Sequence, residues 1–316
     1  MINSFYKKRV LLIGLGDTGQ SVLHFLTNQN CFIKAIDTRT NVEGLSEIKT
    51  KFKDVEFITG QMFHESIIKD IELIVISPGV SLKESYVVAA LDKGIPVIGD
   101  IEIFAQIKEK NSKVIGITGS NGKTTVTSLV GELLEASGIT TIVAGNIGIP
   151  ILNTLDETAP EVYVLELSSY QLESTYSLDL ETATILNISE DHMDRYSSIY
   201  EYAIAKYRIF NHAKKCILNR DDDYLKTFIT NDTVTFGSDV DEINYGIKKN
   251  GSQYFIAKGN VEIIESPFKH AQSRAVPVPK SGRQFGSRFV QDGDELVDEE
   301  LEAAEMAVEA LCSGSY

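Results

Sequence analysis

Short apolar runs alternate with glycine turns and helical stretches along the first 220 residues. RVLLI at 9–13 reads as a buried strand, 14–19 as a glycine turn, 20–28 as a helix and CFIKAID at 31–37 as a second strand. Further strands are predicted at 73–76 and 96–98, with helical material at 85–92 between them. The pattern restarts at Lys113: the strand KVIGIT, a glycine loop, and a helix over 124–137 that Gly138 can close with a left-handed cap. Later strands are expected at 162–167 (VYVLEL), 183–188 (ATILNI) and 216–219 (CILN). From 233 the pattern becomes strand-rich, and Asn250-Gly251 marks a hairpin between NYGIKK and SQYFIAK.

Strands alternating with helices predict parallel sheets covered on both faces. The expected fold class is therefore α/β: a Rossmann-like N-terminal domain over 1–100, then a phosphate-loop mononucleotide-binding domain over 101–265. Beyond 265 the composition shifts. Residues 267–290 hold three of the seven prolines and five basic residues without an acidic one, which reads as a linker. Residues 294–311 then place Val297, Leu301, Ala304, Val308 and Leu311 on one stripe of an acidic helix.

Composition narrows the picture. A formal charge of -15 argues against a nucleic-acid surface, which needs a basic footprint. Nine of the acidic residues lie in 291–316, so the rest of the chain is only mildly acidic. No apolar stretch approaches the ~20 residues of a membrane span, and nothing near the N-terminus resembles a signal peptide. A soluble cytoplasmic monomer is expected. Cys31, Cys216 and Cys312 lack zinc-ligand spacing, so neither a disulfide nor structural zinc is expected.

Two glycine loops carry the candidate chemistry. Gly14-Leu15-Gly16-Asp17-Thr18-Gly19, with Asp37 ending the next strand, fits a dinucleotide fingerprint, and more generally any phosphate brought to a helix N-terminus. NAD(P), another phosphate ligand and a tight structural turn all remain open on this loop alone. Thr118-Gly119-Ser120-Asn121-Gly122-Lys123-Thr124-Thr125 follows a strand and precedes a helix. Its N–H groups can cradle phosphates, Lys123 can neutralise them and the Thr124 hydroxyl can bind magnesium. Ile117 stands where the strict eight-residue phosphate-loop pattern has glycine, so this is a shortened loop.

The TGSNGKTT loop, LELSSYQLE at 165–173, NISEDHMDRY at 187–196 and AKYRIF at 205–210 resemble, in order and spacing, the Mur ligases, and among them the branch that adds D-glutamate. The resemblance runs from about residue 7 to about 265. It implies that the N-terminal domain holds the UDP part of UDP-N-acetylmuramoyl-L-alanine: Leu15, Gly16, Asp17 and Thr18 at the diphosphate, Asp37, Thr38 and Arg39 at the uridine end, and Ser77, Pro78 and Gly79 closing the uracil pocket. It implies ATP on Gly119, Ser120, Asn121, Gly122, Lys123, Thr124 and Thr125, and Asn146 near the alanine or metal-linked part of the substrate. Two magnesium ions follow from it, one on Thr124 and Glu166, the other served by His192 and a carbamylated Lys206. Lys123, His192 and Lys206 are the implied catalytic residues of an amide ligation through an acyl phosphate, a step of peptidoglycan precursor synthesis.

Taken alone, Lys206 reads as an ordinary helix-surface lysine, His192 as a hydrogen-bonded structural histidine and Asn146 equally as a turn residue. Asn219 and Asp221–Asp223 follow a strand and read either as a border of the nucleotide site or, in preference, as a solvated acidic loop. The family continues into a third domain that binds D-glutamate, and residues 266–316 do not align with it. Truncation, frameshift and fusion each account for that, and the expectation is substrate binding with little ligation. A non-catalytic UDP-sugar and nucleotide-binding protein, and an NAD(P)-dependent oxidoreductase, remain the alternatives.

Overall fold

The computed structural model describes residues 5–251 and 253–266. They divide into two compact units. The predicted linker at 267–290, the acidic helix at 294–311 and Cys312 lie outside the described residues.

The first unit runs to Lys108 and also takes in 149–158 and 170–178. It contains β1 (Arg9–Ile13), α1 (Asp17–Asn28), β2 (Phe32–Asp37), α2 (Leu45–Lys51), β3 (Glu56–Thr59), β4 (Leu73–Ile76), α3 (Ser85–Asp92), β5 (Val97–Ile98) and α4 (Asp100–Ile107). Its sheet has the order β3-β2-β1-β4-β5, every pairing parallel. Strands covered on both faces should be apolar throughout, and β4 is buried at every position. Leu11, Ile13, Ile36, Ile74, Ile76 and Val97 pack into one core. Strand order reverses between β1 and β4, where open α/β sheets bind ligands beyond the strand ends.

The second unit contains β6 (Lys113–Thr118), α5 (Lys123–Ala136), β7 (Thr141–Gly145), β8 (Val162–Glu166), β9 (Leu180–Ile185), α7 (Ile199–Tyr207), β10 (Ala213–Asn219) and β11 (Val234–Phe236); α6 (Ser169–Glu173) lies mostly in the first unit. Its parallel sheet has the order β11-β10-β9-β6-β8-β7. Ile115, Ile117, Val126, Val130, Leu134 and Val164 form the core beneath α5. A three-stranded antiparallel sheet follows, β12 (Tyr245–Asn250), β13 (Gln253–Lys258) and β14 (Val261–Ser266), with Asn250 paired to Gln253 around the expected hairpin.

α5 ends as expected. Gly138 has φ +81°, its N–H bonds Glu135 O at 2.9 Å and Ile139 N–H bonds Leu134 O at 3.0 Å, which makes a Schellman cap. Three boundaries differ from expectation by three residues; one is the start of β10, at Ala213 and not at 216. α1 begins at Asp17, not 20, because Gly16 is its N-cap and Asp17 places negative charge in the first turn. β9 covers 180–185, not 183–188, because Asn187 leaves the strand direction to bond the neighbouring loop. The elements α2, β3, α4, β7 and α7 were not singled out by the apolar pattern, being short or mixed in polarity. No helix among the described residues is long and apolar enough to cross a membrane.

Candidate functional site

In the first unit the 14–19 turn follows β1, and its glycines have distinct reasons. Gly14 has φ +95°, and its carbonyl accepts the Ser77 hydroxyl at 3.3 Å. A Cβ on Gly19 would lie 2.1 Å from Gly14 O, so α1 can approach β1 only with glycine there. Around Gly16 nothing lies within 4 Å of a would-be Cβ; Gly16 and Asp17 are exposed at the start of α1, and Thr18 is half-buried. The N-terminus of α1 is thus open to an anion.

Asp37, at the end of β2, is buried. Its Oδ2 accepts Leu15 N–H at 2.9 Å and Arg39 Nη2–H at 2.7 Å, while Oδ1 accepts the Arg39 backbone N–H and Nε–H, both at 2.9 Å. Burial alone would raise its pKa, but the hydrogen bonds from Arg39 and Leu15 outweigh that and hold it below the usual carboxylate value. Those four bonds occupy the carboxylate's acceptor positions, so Asp37 joins the glycine turn to Arg39. Arg39 is half-exposed, Thr38 is exposed, and Ser77, Pro78 and Gly79 follow β4 across the strand reversal. The residues expected to hold UDP therefore lie at one end of one sheet, apart from Asn146, which sits in the second unit.

In the second unit, 118–125 joins β6 to α5, with Gly122 left-handed (φ +75°) as the N-cap. Thr124 Oγ1 donates to Glu166 Oε2 at 2.8 Å, and Asn146 Nδ2 donates to Glu166 Oε1 at 2.8 Å. Glu166 is buried at the end of β8 and is fixed by Thr124 in the first turn of α5 and by Asn146 just past β7. Gly145 makes this possible: its φ is +108°, and a Cβ there would meet Glu166 O at 2.2 Å. Lys123 Nζ folds back onto Ser120 O at 2.9 Å. Burial lowers its pKa, opposed by the charges of Glu166 and Asp191.

Lys206 is the largest departure from the pattern-only reading. It is 1% exposed on α7, not on a helix surface, and its Nζ donates to Gly119 O at 2.8 Å and Thr118 Oγ1 at 3.2 Å. Burial, assisted by the charge of Lys123 and opposed by Asp191 and Glu166, pushes its pKa down to about 7. The helix that carries it starts at Ser198, whose hydroxyl accepts the Glu201 N–H, while Glu201 Oε2 accepts from the Ser197 N–H and hydroxyl. His192 is left-handed (φ +56°), and its Nε2 lies 3.4 Å from Asp191 Oδ2.

Two residues absent from the expected site organise it. Tyr202 is buried; its ring receives Lys206 Nζ at 4.6 Å and the His192 ring edge at 6.2 Å, and its hydroxyl lies 3.2 Å from Ser120 Oγ. Asn187 hydrogen-bonds the backbone of Ser120 and Asn121. Its place inside NISEDHMDRY was the available signal, whereas Tyr202, in a tyrosine-rich helix, offered none. Asn219 is buried and donates to Leu186 O at 3.1 Å, and Asp222 accepts the Ile188 N–H at 2.6 Å, so these two brace the sheet end instead of forming a solvated loop.

Among the described residues no group of three His, Cys, Asp or Glu could hold a metal unaided. The Thr124 hydroxyl on the Glu166 carboxylate does suit a hard divalent cation whose other ligands come from phosphate and water.

Comparison with known proteins adds family evidence. Residues 8–99 match the model described as Mur ligase MurD-like, N-terminal domain, and 117–279 match the Mur ligase middle domain. The UDP-N-acetylmuramoylalanine--D-glutamate ligase of Methylobacillus flagellatus is 44% identical over 261 residues, covering 81% of this chain and 57% of that protein. That of Haemophilus influenzae Rd is 43% identical over 266 residues, covering 82% and 58%. The chain thus spans under three-fifths of these relatives' length. The crystal structure of UDP-N-acetylmuramate:L-alanyl-gamma-D-glutamyl-meso-diaminopimelate ligase from Neisseria meningitides shares the fold, with a TM-score of 0.56, 14% identity, and coverage of 96% of this chain and 94% of that one.

Proposed function

This chain belongs to the Mur ligase family, with a MurD-like N-terminal domain and a Mur ligase middle domain, and from that premise we propose that it serves the ATP-dependent addition of D-glutamate to UDP-N-acetylmuramoyl-L-alanine. The observation that carries this reading is the Glu166 carboxylate, held between the phosphate-loop Thr124 and Asn146, with the half-buried Lys123 and the buried Lys206 of α7 both donating to carbonyls of that loop. The first unit would bind UDP through the open N-terminus of α1, Arg39 and the 77–79 turn. The second would bind ATP on 119–125.

In the proposed reaction the L-alanine carboxylate takes the γ-phosphoryl group, ADP leaves, and the D-glutamate amine then displaces phosphate to form the amide. Repulsion between a carboxylate and a triphosphate is the main obstacle, and fixed positive charge reduces it. Lys123 would leave Ser120 O to meet the phosphates. Thr124 and Glu166 would hold magnesium, which neutralises and aligns phosphate oxygens. Lys206 is suited to carbamylation: its neutral amine forms an N–C bond to carbon dioxide and loses a proton, becoming an anionic oxygen donor. His192, beside Asp191, would serve a second ion. A reaction drawing on ATP and a UDP-linked precursor would run in the cytoplasm, where both are made.

The test is calorimetry with UDP and with NAD, alongside phosphate release and ligated product from ATP, magnesium, UDP-N-acetylmuramoyl-L-alanine and D-glutamate. UDP and ATP binding are expected. Tighter binding of NAD than of UDP would sink the reading in favour of an oxidoreductase, and nucleotide binding without any phosphate release would favour a binding protein.

A further inference from the structure

The N–H groups of the phosphate loop fall into two sets. Ser120 N–H lies 3.0 Å from Asn187 O and 3.1 Å from Asn187 Oδ1, and Asn121 N–H lies 2.9 Å from the same Oδ1. Asn187 Nδ2 returns a bond to Asn121 O at 3.2 Å. The neighbouring residues extend this contact: Ser189 N–H donates to Ser120 Oγ at 2.9 Å, and Asn121 Nδ2 donates to Ser189 Oγ at 3.2 Å. Asp222 Oδ2 takes the Ile188 N–H at 2.6 Å and so fixes the backbone beside Asn187.

The second set belongs to α5. Its first intrahelical bond of this kind runs from Val126 N–H to Gly122 O, which leaves the N–H groups of Gly122, Lys123, Thr124 and Thr125 without a helical partner. These four stand where the helix dipole favours negative charge.

We infer that Asn187 is a positioning residue whose side-chain amide occupies the Ser120 and Asn121 N–H groups, so that the nucleotide phosphates are taken by the N–H groups of Gly122 to Thr125. The inference rests on the nucleotide reading above and divides the loop that the sequence treated as one cradle. An amide suits the position: its oxygen accepts two N–H groups while its NH2 donates to a carbonyl. An aspartate would keep the acceptor but lose the donor and set a negative charge beside the phosphates.

The test uses the full chain, labelled with nitrogen-15, titrated with ADP and magnesium and followed by amide shifts and hydrogen exchange. In the free protein the Ser120 and Asn121 amides should exchange slowly, and ADP should shift the Gly122–Thr125 amides while leaving those two nearly unmoved. Asn187→Ala should release the protection of Asn121, leave Ser120 on the retained backbone carbonyl of residue 187, and weaken ADP about tenfold, with UDP affinity in the first unit unchanged. Asn187→Asp should keep the protection yet still weaken ADP, a separation that loss of fold would not produce. Dominant ADP shifts at Ser120 and Asn121, or unchanged exchange of the Asn121 amide in Asn187→Ala, would overturn the inference. Intact protection with no ADP response anywhere in the loop would support the clamp and overturn the nucleotide reading instead. If Asn187→Ala does not fold, the wild-type shift pattern and Asn187→Asp still decide the matter.

Discussion

Two buried carboxylates of the first unit titrate in opposite directions. Asp37 is held below the usual value because its hydrogen bonds from Arg39 and Leu15 outweigh burial. Its stabilising contribution is therefore complete above the unfolded value of 3.8 and is lost as pH falls through the lower folded value. Asp37→Ala should cost about 1–3 kcal/mol at neutral pH, mainly by stranding the buried Leu15 N–H. Urea midpoints of variant and parent should converge below that window, and a gap independent of pH would contradict the assignment. Asp100 is buried with Oδ1 unpartnered, and desolvation pushes it up to about 6. Between 3.8 and about 6 the folded chain keeps a proton that the unfolded chain has released, so stability falls as pH rises through that range. Asp100→Asn removes the cost of charging, and the variant should melt higher than the parent at pH 8, with the difference shrinking near pH 4. An Asn variant less stable than the parent at pH 8 would mean that the charged form has a partner.

At the scale of elements, the strand-turn-helix joints decide what each glycine does. Gly19→Ala drives a Cβ to 2.1 Å from Gly14 O and must part α1 from β1. A loss of about 1–3 kcal/mol or more is expected, as for overpacked cores. Gly16→Ala meets nothing within 4 Å and has φ -75°, so its melting temperature should stay near that of the parent. UDP affinity should nevertheless drop, because the added methyl occupies the face where a phosphate would approach. Differential scanning fluorimetry with UDP calorimetry separates the two variants, and equal effects of both on stability would refute the division. The same joints show how legible the site was. The two glycine loops could be read from the chain because motif and element coincide there, whereas Glu166 and Lys206 were reached only through the family resemblance. The burial of Lys206 was not legible, since it depends on α7 packing its final turn against the Thr118 hydroxyl and the Gly119 carbonyl.

At the scale of the molecule, ligands should report on the two units separately. A ligand that binds only the folded state adds about 2.7 kcal/mol at a hundredfold excess over its Kd. UDP should slow hydrogen exchange chiefly around β1, β2 and β4, and magnesium ADP chiefly around β6, α5 and β8. Protection of the second unit by UDP alone would show that the N-terminal assignment is misplaced.

The sequence by itself determined the α/β class, most of the central strands and the order of the motifs. Those properties follow from local rules: apolar runs of strand length, and glycine where a turn needs a positive φ or a close approach. Tertiary structure alone decided that Asp37 is bound by its own Arg39, that Tyr202 gathers His192, Lys206 and Ser120, and that Asn187 takes two of the phosphate loop's N–H groups. Asn187 stands 67 positions from Ser120 and Lys206 stands 88 from Thr118. Contacts at such separations come from the order in which parallel strands assemble, and no periodicity along the chain encodes that order.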